Sequence, residues 1–112
     1  MAIRLYTEDP GELLDAINDA IDEGHIETWD RDDDGDFTHS ADQWDEDAWL
    51  RPTVEDEALL LNILAPVGVH LSKEVYGIYH GRFIEMALVH FDEMIGDAIA
   101  TAMPDDGDAI QG

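Results

Sequence analysis

The segment Asp30-Arg31-Asp32-Asp33-Asp34-Gly35-Asp36 places carboxylates at alternate positions ahead of a glycine. This is the pattern of the first half of a calcium loop, where alternating oxygen ligands and a sharp glycine turn enclose a hard cation. Asp30, Asp32, Asp34 and Asp36 are the candidate ligands. The second half departs from the pattern. The twelfth position is Ala41, where a bidentate acid should close the loop, although Asp42 follows one place later. The segment before the loop reads as a strand rather than a helix. A solvated Asp-Gly hairpin turn is therefore the favoured reading, and no metal is expected.

A second polar group, His80, Arg82 and Glu85, falls on one helical segment with His90 beyond it. Steps of five residues from His80 to Glu85 and from Glu85 to His90 do not put these side chains on one helix face, so they are not a zinc pair. His80 falls among Phe83, Ile84, Ala87 and Phe91, where a histidine with one hydrogen bond in the core is the ordinary outcome. His25, His39 and His70 are scattered over other segments. No nucleophile–base arrangement, phosphate loop or dinucleotide fingerprint stands out, and no cofactor is expected.

Arginine is scarce, so its neighbours carry weight. If Ile3 and Leu5 face the core, Arg4 faces the other side of the sheet. Trp29 on a second strand, and Trp49 with Arg51 on a third, can share that side. Arg and Trp are enriched where proteins bind one another, so Arg4, Trp29, Trp49 and Arg51 form a candidate ligand or partner surface. Burial of both tryptophans, with the arginines in ion pairs, is the competing reading. On the last helix Val75, Tyr79, Met86 and Val89 are apolar but off the expected core stripe. A second copy of the chain is the simplest cover for them, and a folded-back C-terminus is the other.

The elements that must position these groups follow from pattern. Ile3 to Tyr6 alternates as a strand. Asp9-Pro10-Gly11-Glu12 opens a helix with a cap, a proline at the first helical position and capping-box spacing, and Gly24 stops it. Strands are expected over His25 to Asp30, Ala48 to Val54 and Ala58 to Leu64, with one helical turn near Trp44. Pro52 suits an edge strand or one that is irregular there, and the apolar run after Ala58 suits a covered, central strand. Ser72 caps a long helix reaching toward Ile95, and Ala98 to Ala102 offers a last strand or helical turn. The result is an α+β domain in two layers, of order β-α-β-β-β-α-(β). A mainly antiparallel sheet of four or five strands carries both helices on one face. Residues 1–104 form the single domain, and residues 105–112 read as a frayed acidic tail.

Charge bounds the rest. Asp and Glu number 28 against four Arg and Lys73, for a net charge of -23 on 112 residues. Two unit charges ~10 Å apart in water repel by roughly 0.4 kcal/mol. At about 1 M salt the screening length falls to ~3 Å, and most of that repulsion disappears. Acids spread over nearly every segment, with lysine all but absent, fit a chain adapted to a salt-accumulating cytoplasm. A hydrophobic fraction of 45% in periodic runs argues against a disordered acidic chain. There is no cysteine, no leader-like apolar stretch after Arg4 and no run of membrane-spanning length. Direct nucleic-acid or membrane binding is disfavoured for want of a basic footprint. The expectation is a cytoplasmic, non-catalytic protein-binding or regulatory module, in a homodimer or with an unidentified protein partner. The alternative is a nucleic-acid-mimicking inhibitor of a basic DNA- or RNA-binding protein. A small enzyme using His80, Arg82 and Glu85 stands third.

Overall fold

Sequence signals at both ends of the first helix match what forms. A computed structural model describes residues 2–112. Helix α1, Pro10–Asp22, begins where the Asp9 side chain accepts the Glu12 backbone N–H at 3.0 Å. It ends where Gly24, at φ 77°, turns the chain so that the His25 N–H reaches the Ala20 carbonyl at 2.9 Å. A residue with a Cβ resists that left-handed conformation. Leu13 and Ile17 are the buried face of α1.

The sheet has six strands, more than the four or five expected. They are β1 (Ala2–Tyr6), β2 (Trp29–Arg31), β3 (Phe37–His39), β4 (Trp49–Val54), β5 (Ala58–Leu64) and β6 (Ala98–Ala100). The spatial order is β2-β3-β4-β5-β1-β6, and every pairing is antiparallel. The α+β class stands, but the order is β-α-β-β-β-β-α-β. The added strand is β3, three residues long, too short and too closely flanked by acids to give a period-two signal. β5 is central, as its apolar sequence requires. β4 pairs with β3 only at Leu50, so Pro52 stands where the outer side of β4 has no strand partner among the described residues, a local edge of the kind proline tolerates.

Alternation sorts the sheet into two faces. Ile3 and Leu5 of β1, Leu50 of β4, and Leu59, Leu61 and Ile63 of β5 face both helices and form one core with them. Helix α2, Lys73–Phe91, starts where the Ser72 hydroxyl accepts the Val75 N–H at 3.1 Å. It buries Tyr79, His80, Phe83, Met86, Ala87 and Phe91. The expected core residues His80, Phe83, Ala87 and Phe91 are all buried, and the core face is wider than expected, since Tyr79 and Met86 are in the core rather than on an outer stripe. The Tyr79 ring packs edge-on to Trp29, and its hydroxyl donates to the Trp44 carbonyl and meets Thr38 Oγ1 at 3.1 Å. Thr38 Oγ1 in turn accepts the Glu46 N–H at 2.9 Å. Burial pushes the Tyr79 phenol above its ordinary pKa.

The acidic end of the chain is not left free. The Asp108 carboxylate accepts from Asn62 Nδ2 at 2.9 Å and from the Ile63 N–H at 3.1 Å, and Asn62 also donates to the Asp106 carbonyl. Ala109 and Ile110 exchange backbone hydrogen bonds with Ile63, Ala65 and Leu71. Gly107 makes the approach feasible: at φ 91° a Cβ would sit 2.8 Å from Asn62 Oδ1. A stretch read as frayed from its composition is thus tied to the central strand. No helix among the described residues is long and apolar enough to cross a membrane.

Candidate functional site

The Asp-rich segment forms the loop of the β2–β3 hairpin. Gly35, at φ 86°, makes the turn, and Asp32 Oδ1 accepts the N–H groups of Asp34 and Asp36 at 3.0 and 2.9 Å. Carboxylate oxygens of Asp32, Asp34 and Asp36 lie within 4.8 Å of one another, and Asp30 is not among them. Asp36 is otherwise engaged. Its side chain, 5% exposed, receives both Nε and Nη2 of Arg51 at 3.0 and 2.8 Å. That two-pronged bond satisfies a buried carboxylate which a cation would have to win from a guanidinium. Calorimetry with calcium chloride in molar KCl is expected to show no saturable heat at micromolar concentration. A stoichiometric heat lost on Asp32→Asn with Asp34→Asn would overturn this.

The candidate binding face divides. Arg4, Trp49 and Arg51 lie opposite the helices, as alternation with Ile3, Leu5 and Leu50 requires. Trp29 does not. It is 2% exposed on the helix side, stacked on His39 at 4.8 Å and edge-on to Phe83 at 5.0 Å. Its face is set by pairing with His39 across β2–β3, not by the strand read over His25 to Asp30. Arg4 donates to Glu55 and Asp105 at 3.3 and 3.2 Å. The Asp106 N–H, then Arg4, hold the Asp105 carboxyl below the usual aspartate range.

The polar group on α2 divides as well. The His80 ring is buried, with Nδ1 2.6 Å from the Tyr76 carbonyl oxygen. Arg82 and Glu85 are exposed and line a different place, a cavity of about 170 Å³ shared with Trp29, His39, Met86, Val89 and His90. Of the four residues suggested for self-association, Tyr79 and Met86 are core, Val75 packs against it, and Val89 is 68% exposed at the cavity mouth. His39 and His90 gave no sequence signal. His39 lies in the strand too short to read.

A second, larger concavity of about 950 Å³ lies at the other end of the strand order. Backbone bonds from Tyr6 to Asp97, Gly96 to Tyr6 and Thr7 to Glu57 build its walls. Tyr6, Met94 and Ile95 give it apolar surface, and Glu8, Asp9, Glu12, Asp56, Glu57 and Glu93 place six carboxylates around it. All six are exposed. Compared with family models, with curated proteins and with solved structures, the chain matches none.

Proposed function

We propose that the protein is a non-catalytic binding module of a salt-rich cytoplasm, whose acidic groove seats a lysine- and arginine-rich segment of a partner protein. The observation that carries this is the groove's combination of shape and chemistry. Six carboxylates surround a concavity that also offers the Tyr6 ring and the Met94 and Ile95 side chains. Lys and Arg present the matching pair of features, an apolar stem and a cationic head, and the head can lie over an aromatic face. Concavity matters in salt. At about 1 M the screening length is ~3 Å, so carboxylates act only at contact, and a groove makes several contacts at once. The decoy reading asks for a ridge of acids spaced like phosphates; a groove ringed by acids supports capture of a basic segment instead.

The test uses a decapeptide of alternating Lys, Arg and Ala, titrated into the labelled protein in molar KCl. Amide shifts should localise to Tyr6, Glu12, Glu57 and Met94 to Gly96. Glu12→Lys with Glu93→Lys should weaken binding about tenfold, ~1.4 kcal/mol. The equal charge change Asp33→Lys with Glu74→Lys, outside the groove, should leave it within about twofold. Shifts spread over the whole surface, or equal losses in the two variants, would reduce the binding to bulk charge.

A further inference from the structure

The small cavity between β2–β3 and α2 is walled unlike the acidic groove. Its inner residues are Trp29, His39 and Met86, which are 2%, 2% and 6% exposed. Its mouth carries Arg82, Glu85 and His90, all exposed. The His39 proton is placed by a neighbour. Nδ1 lies 2.7 Å from the Thr28 carbonyl oxygen, which can only accept, so Nδ1 carries a hydrogen and, in the neutral ring, Nε2 is a lone-pair acceptor. That Nε2 is buried and has no partner among the described residues. Buried acceptors are normally satisfied; this one belongs to a residue of the cavity wall and is closed to solvent, so a donor in the cavity reaches it only when the wall side chains shift.

The mouth adds charge of both signs. Arg4, Arg31 and Arg51 all hold carboxylates. Arg82 has no such pair among the described residues, although the chain offers 28 acids. Glu85 lies three residues on, along the same helix, and pairs neither with Arg82 nor with another cation there. An unpaired guanidinium and an unpaired carboxylate on one rim complement a molecule that carries both charges. The volume, about 170 Å³, matches that of roughly five or six waters.

From these observations we infer that the cavity binds a small α-amino acid as its zwitterion. The ligand carboxylate takes the Arg82 fork, its ammonium group faces Glu85 and donates to His39 Nε2, and a short side chain lies against Trp29 and Met86. This site is independent of the acidic groove, and each can fail without the other.

The experiment is a titration of the isotope-labelled full chain in molar KCl, read at the His39 ring, the Trp29 indole and the α2 amides. Glycine, L-alanine and L-serine are the ligands. Propionate lacks the ammonium, and glycine betaine lacks any N–H. Saturable shifts are expected with the amino acids at millimolar Kd or tighter, and at least about tenfold weaker with both controls. Arg82→Gln and Glu85→Gln each lie on the exposed face of α2. They should keep the thermal midpoint of the parent and each weaken alanine binding by about tenfold or more. The inference is overturned by the absence of any saturable shift with the three amino acids. It is equally overturned if propionate and betaine bind as well as alanine, or if both variants bind as the parent does, since either result describes an unselective apolar hole.

Discussion

Raising KCl from about 0.1 M to about 2 M is expected to raise the thermal midpoint of this protein by roughly 15–25 °C. The chain holds 28 acids and a net charge of -23. Arginine ion pairs among the described residues engage Asp22, Asp36, Glu55 and Asp105, four of those acids. The acids that line the groove are exposed, so most of the repulsion runs through solvent and is open to screening. Pairs at ~10 Å cost roughly 0.4 kcal/mol each in water. Dozens of them rival a domain's whole stability of about 5–15 kcal/mol. Relief of about 3–5 kcal/mol, at a few degrees per kcal/mol for a chain of this size, gives the stated shift. Screening also fixes the shape of the curve. The screening length is about 8 Å at 0.15 M and ~3 Å at 1 M, so most of the rise should come below molar salt. Potassium sulfate acts in addition by exclusion from the surface, and a rise seen only with sulfate would point to that effect instead. Differential scanning calorimetry makes the measurement. A midpoint flat in KCl would remove salt adaptation as the reason for the charge.

How far the sequence reached depended on the length and one-sidedness of each signal. The ends of α1 were legible because Asp9, Pro10, Glu12 and Gly24 each act through local backbone chemistry, and all but the details of the last turn formed as read. β5 was legible because seven residues of nearly unbroken apolar sequence have few places to go. α2 was found together with the centre of its core face, His80, Phe83, Ala87 and Phe91, but not with that face's full width. Val75, Ile78, Ile84, Leu88 and Val89 put apolar residues all around it, so the pattern leaves the edges of the buried face to be fixed by the sheet. Packing on the sheet takes Tyr79 and Met86 inward as well and leaves Arg82 and Glu85 at the cavity mouth. The cavity itself was hidden for a related reason. His39 and Trp29 meet only because a three-residue strand pairs them, and such a strand has no period to detect. The groove joins residues 6–12, 56–57 and 93–96, segments that only the strand order brings together. The ties of Asp108 and Gly107 to Asn62 are tertiary fits that composition cannot show.

Trp29→Ala is expected to cost about 3–5 kcal/mol of stability. The indole is 2% exposed and contacts three other rings: His39 stacked at 4.8 Å, Tyr79 edge-on at 5.6 Å and Phe83 edge-on at 5.0 Å. Truncation removes the buried apolar area and leaves a void between β2–β3 and α2 that close-packed neighbours cannot fill. The loss also falls on the hydrogen-bonded set behind it, since Tyr79 holds Thr38 and the Trp44 carbonyl. Salt decides whether the variant is seen folded. Near 0.1 M KCl, with repulsion in place, a loss of this size should leave the chain largely unfolded. In molar KCl the variant should fold, with a midpoint lower than the parent's by about 12–25 °C. Trp29→Phe keeps an aromatic ring in the cluster and should cost about half as much or less. Had Trp29 stood on an open binding face beside Arg4, the same substitution would shift stability by no more than about 0.5 kcal/mol. Urea unfolding of the three proteins in molar KCl separates the two cases. A midpoint for Trp29→Ala equal to the parent's would put the indole back on the surface, and with it the register of β2 against β3 and the wall of the small cavity.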